Sequence, residues 1–118
     1  AASYDPRPPT QENTLGIVLP LNEQTAVLDD KAWAQWMVFD PLNLVESKYE
    51  VLRELKCLFI DCGARDQYHI QYGSRRIVER FSVLNVPHKW EEFDGTHSGI
   101  DFRLDSSFAQ LSNDLSSF

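Results

Sequence analysis

The sequence predicts an α/β fold built on a parallel strand–helix–strand unit, and three observations point to it. Cys57-Leu58-Phe59-Ile60 is a short, continuous apolar run that stops at Asp61-Cys62-Gly63. From Ile70 to Leu84, the residues Tyr72, Ile77, Val78, Phe81 and Leu84 recur at helical spacing, and Asn85-Val86-Pro87 ends the helix. His88-Lys89-Trp90-Glu91-Glu92-Phe93 then reads as a second strand, before Asp94-Gly95-Thr96 turns the chain. Continuous rather than alternating apolarity in the first strand suits a strand covered on both faces, as parallel strands are. Parallel neighbours need a crossover of this kind between them.

At 118 residues the chain has room for one domain and one core. We expect a single domain over 1–118, with irregular structure and a helical insertion over 1–56 and the end of a sheet over 57–118. Pro6, Pro8, Pro9 and Pro20 break the first thirty residues, where Leu15–Leu19 could form a short edge strand. Asp29 or Asp30 can cap a helix whose apolar positions are Ala32, Trp33, Trp36, Met37 and Phe39. Asp40-Pro41 restarts the chain with an N-cap and a proline at the first helical position, and leads into Leu42, Leu44 and Val45. Further helical turns are expected through Tyr49, Val51, Leu52 and Leu55. After the second strand, residues 98–115 carry Ile100, Phe102, Leu104, Phe108, Leu111 and Leu115, a helical tail with a break expected near Asp105.

Composition narrows the function. Hydrophobic residues make up 42% and charged residues 25%, ordinary values for a globular domain. A formal charge of −7 argues against nucleic acid, which demands clustered cations. Arg75, Arg76 and Arg80, with Glu79 among them, read as a solvated helix face. No apolar run is long enough to cross a bilayer. Ala1-Ala2-Ser3-Tyr4-Asp5-Pro6 lacks the basic and apolar regions of a secretory leader, and a cytoplasmic setting is favoured. Cys57 and Cys62 are separated by an odd offset in what reads as one strand, so they face opposite sides and are expected to be free thiols. No cysteine or histidine spacing suggests a metal.

In open α/β sheets functional groups gather in loops beyond the carboxyl ends of the strands. Those loops here are 63–70 and 94–98; one holds Asp66 and the other His97. A nucleophilic hydrolase needs a histidine to take a proton and a carboxylate to fix the histidine's tautomer. The chain order acid then histidine is the one α/β-hydrolases use. Gly63 and Gly95 are expected to let the two loops turn at the strand ends.

The run Phe59-Ile60-Asp61-Cys62-Gly63-Ala64-Arg65-Asp66-Gln67-Tyr68, then a helix, then Phe93-Asp94-Gly95-Thr96-His97-Ser98, carries a resemblance. It resembles the C-terminal part of the esterase branch of the α/β-hydrolase superfamily that includes S-formylglutathione hydrolases. Residues 33–45 resemble the helical insertion of that branch, and Ala1-Ala2-Ser3-Tyr4 resembles the tail of the preceding strand. The resemblance is specific from about Leu58 to Asp101. It implies the C-terminal portion of an α/β-hydrolase sheet, with Asp66 as triad acid and His97 as general base. It implies a small ester or thioester substrate in the complete enzyme and no cofactor.

The chain departs from the branch in one respect. It contains no G-x-S-x-G nucleophile elbow; Gly73-Ser74 and Ser98-Gly99 are the nearest approaches. The nucleophile is expected N-terminal to everything here, on a longer chain or on a complementary N-terminal half, and self-association is the other expectation. The alternative is a non-catalytic interaction or assembly domain with a hydrolase-derived layout. Asp61 is the rival acid, with Asp66 preferred because its loop gives more reach. His88 reads as structural or solvated and His69 as a helix-start surface residue, with pocket lining the alternative for His69. Trp33 and Trp36 suit core packing ahead of a substrate pocket, and Ser98 suits a helix cap ahead of a partner for His97.

Overall fold

The structure is a computed structural model that describes Thr10, Gln11, Gly16 and residues 18–116. The expected strand over Leu15–Leu19 falls partly, and the resemblance of Ala1–Tyr4 wholly, outside the described residues. The chain divides into two compact units, Ala1–Leu44 and Val45–Phe118. In the first, Leu21 and Leu28 form an isolated antiparallel bridge around a tight loop, where the Asn22 carboxamide oxygen accepts the N–H groups of Gln24 and Thr25. Asp29 then caps α1 (Asp30–Met37), its side chain accepting the N–H groups of Lys31 and Ala32 at 3.0 Å. The helix stops short of Phe39, whose N–H bonds the Trp36 carbonyl in a tightened last turn.

Helix α2 (Pro41–Arg53) begins as its sequence dictates. Asp40 accepts the Asn43 N–H at 3.1 Å, and Pro41 fills a position whose N–H has no helical partner. Leu55 lies just beyond the helix, in a turn closed by its N–H to Leu52. In the second unit Val45, Phe81 and Val86 form the buried centre, with Tyr49, Leu52, Leu58, Ile60, Ile77 and Leu84 packed around it.

The second unit is mixed α/β around a two-stranded parallel sheet. Strand β1 (Phe59–Gly63) pairs with β2 (Lys89–Phe93) in the register Phe59↔Lys89 through Gly63↔Phe93, and α3 (Ile70–Val83) is the crossover. The expected unit is thus present, with one shift: β1 starts later and runs through Asp61-Cys62-Gly63. Cys57 therefore lies outside the strand, so opposite strand faces do not explain its separation from Cys62; both cysteines are free. Strand alternation divides the sheet cleanly. Ile60, Cys62 and Glu92 face α3, where Glu92 binds Arg75. Asp61, Lys89, Glu91 and Phe93 face α4 (Arg103–Leu115).

Two further expectations need correction. Helix α4 runs unbroken through Asp105, and its N-cap position is Phe102, so Ser98 caps nothing and lies in the preceding turn. Arg75 and Arg80 do lie on a solvated helix face, at 46% and 38% side-chain exposure, and fork there onto Glu92 of β2 and Glu46 of α2. The half-buried face of α4 is polar, formed by Arg103, Ser106, Ser107, Gln110 and Asp114, whereas Leu104, Phe108, Leu111 and Leu115 lie exposed along the other side. An amphipathic helix normally buries its apolar stripe; this one turns it outward.

Candidate functional site

Both loops leave the sheet at its carboxyl end, and backbone bonds stitch them together beyond the last paired residues. Ala64 N–H donates to the Phe93 carbonyl at 2.8 Å and Arg65 N–H to the Gly95 carbonyl at 2.9 Å. Gly63 is required here for a reason other than a turn. A Cβ at that position would stand 2.6 Å from the carbonyl oxygens of Gly95 and Thr96, so only glycine lets the second loop close over β1.

That closure brings Asp66 and His97 together. His97 Nδ1 lies 2.9 Å from Asp66 Oδ2, and because a carboxylate accepts, Nδ1–H is the donor. Asp66 is 4% exposed, and its other oxygen accepts the Tyr68 N–H at 2.7 Å. Burial would raise the Asp66 pKa, but the bonds from His97 and the Tyr68 N–H outweigh it and hold the carboxyl below its ordinary value. Asp66 is therefore an anion at neutral pH. The pairing pins the neutral imidazole as the Nδ1–H tautomer, which presents Nε2 as a base.

The His97 side chain is 49% exposed, so the ring is anchored on one edge and open on another. Two neighbours set its orientation: the Gln67 carboxamide oxygen accepts the His97 N–H at 3.2 Å, and the Tyr68 ring meets the imidazole edge-on at 4.8 Å. Gln67 and Tyr68 stood in the quoted run, but nothing in their spacing marked them as supports for the histidine.

A cavity of about 200 Å³ opens beside the pair, lined by Asp61, Asp66 and His97 together with apolar Ile70, Phe93 and Ile100, and with Cys62, Gly63 and Thr96. Burial, with nearby carboxylates, pushes the Cys62 thiol up, so it stays protonated and is a poor nucleophile at neutral pH. Asp61, the rival acid, also lines the cavity but is engaged elsewhere, by Arg103 at 2.9 Å. His88 donates from Nδ1 to the Val86 carbonyl and packs on Phe81, a structural place. His69 occupies the N-cap position of α3 with φ 61°, and its ring lies against Tyr72, away from the cavity lining. Trp33 and Trp36 lie on α1 in the first unit, and the lining residues all come from the second.

Among the described residues no group of His, Cys, Asp or Glu is arranged to hold a metal, and no helix is long and apolar enough to cross a membrane. The chain matches no known protein-family model, and no curated protein matches it.

Proposed function

We propose that this chain supplies the acid and general base of a serine carboxylesterase or thioesterase of the α/β-hydrolase type. The nucleophilic serine would come from outside these 118 residues. The supporting observation is the Asp66–His97 pair: a buried, ionised carboxylate holding a half-exposed imidazole by Nδ1, on adjoining loops beyond a parallel sheet. In such a site Nε2 takes the proton of the attacking serine hydroxyl and later delivers it to the leaving alcohol or thiol. Asp66 fixes the tautomer and stabilises the imidazolium that forms. Water then attacks the acyl-enzyme with the same histidine as base.

The test uses p-nitrophenyl acetate and a fluorophosphonate label. Residues 1–118 alone should hydrolyse the ester no faster than background. The complete translated product containing them should turn it over and carry the label on a serine outside this stretch. Robust, inhibitor-sensitive turnover by 1–118, or an inactive complete product, would refute the proposal.

One observation favours a second reading, an assembly domain: the outward apolar stripe of α4, with Leu104 at 53% and Phe108 at 64% exposure. Exposed apolar stripes of this kind mark contact surfaces. An assembly domain would form a stable complex whether or not His97 is intact.

A further inference from the structure

Asp61 and Glu91 are register partners on the two parallel strands, so their carboxylates project side by side from one face of the sheet. Like charges so placed repel. One side chain bridges them: Arg103 at the start of α4 donates from Nε to Asp61 at 2.9 Å and from Nη2 to Glu91 at 2.6 Å. The Arg103 side chain is only 11% exposed, and its guanidinium lies 4.7 Å from the centre of the Phe93 ring. Phe93 in turn meets Phe102 edge-on at 5.8 Å. The segment between Phe93 and Arg103, which contains His97, is thus fastened at both ends to the same patch of sheet.

Asp61 matters for a second reason. It lines the cavity that His97 and Asp66 line, so two carboxylates border the histidine's surroundings. The fork of Arg103 engages one and leaves the other to His97. A planar guanidinium suits this task because it grips two acceptors in fixed directions, whereas an ammonium does not.

We propose that Arg103 is a positioning residue for His97: by engaging Asp61 it holds that carboxylate away from the imidazole, so that Asp66 alone sets its tautomer. This rests on the reading of Asp66–His97 as an acid–base pair, and the experiment separates the two.

The experiment follows the His97 imidazole by 15N-detected NMR in the 118-residue chain at neutral pH, comparing wild type, Arg103→Lys, Arg103→Met, Arg103→Met with Asp61→Asn, and Asp66→Asn. Wild type should give one tautomer with a protected Nδ1–H. Arg103→Met should lose that preference and exchange the Nδ1 proton about tenfold faster or more, the factor that weakening by one ordinary hydrogen bond gives. Arg103→Lys should fall between. Adding Asp61→Asn to Arg103→Met should recover the wild-type tautomer, which a merely structural role for Arg103 would not do.

Circular dichroism identifies any variant that fails to fold; the lysine variant, which keeps the charge, then decides. Wild-type imidazole signals in a folded Arg103→Met or Arg103→Lys chain would overturn the positioning role. Wild-type His97 signals in Asp66→Asn would instead overturn the acid–base pair itself.

Discussion

Asp66 connects stability to pH through a simple sign. Its native pKa lies below the ordinary carboxyl value of 3.8, so the unfolded chain binds its proton more readily than the native one. The stabilisation is complete above the unfolded pKa and is lost as pH falls through the lower native value. Asp66→Asn should therefore be less stable than wild type at neutral pH, and the gap in urea midpoint should close as pH is lowered below about 4. A gap that persists unchanged in acid would show that the carboxylate's charge is not what matters. Gly63→Ala should cost about 1–3 kcal/mol, since the new methyl must displace two backbone carbonyls. It should also shift the amide resonances of Thr96 and His97, and unmoved signals would contradict the close approach.

That Asp66 and His97 would meet was legible at this scale, because their loops leave neighbouring strand ends of one crossover unit. Arg103 was not legible. It lies far from β1 in sequence, and its role depends on two carboxylates becoming neighbours only through strand register.

At the scale of elements, Gly73 stands in the interior of α3 with nothing within 4 Å of where a Cβ would go. Gly73→Ala should raise stability by about 0.5–1 kcal/mol by restricting the unfolded chain. The urea midpoint should rise with an unchanged slope; a lower midpoint would mean that the helix packs differently there. Asp29→Ala should cost about 1 kcal/mol by removing the acceptor for two N–H groups at the start of α1. No loss of helix by circular dichroism would contradict the cap.

Element types and order followed from periodicity and from the Asp-Pro and Asn-x-Pro punctuation around α2 and α3. Boundaries followed less well. Polar Asp61 reads as the end of an apolar run, yet it continues β1 because Arg103 satisfies its charge. In the tail the apolar residues were visible at helical spacing, but spacing alone cannot say which face meets the sheet. Arg103 and Gln110 make that contact through polar bonds to Asp61, Glu91 and Lys89.

Among the described residues, a two-stranded sheet and an outward apolar helix stripe leave apolar surface that association would cover. The 118-residue chain should self-associate in sedimentation at micromolar concentration, and Phe108→Gln should weaken that association. A stable monomer unaffected by the substitution would count against it. The central claim is that His97 serves as a catalytic base held by Asp66. Its most direct test is kcat/KM for p-nitrophenyl acetate in the complete translated product, wild type against His97→Ala. Loss of roughly 10⁴-fold or more is expected, in line with removal of a triad base elsewhere; activity retained within about tenfold would contradict it.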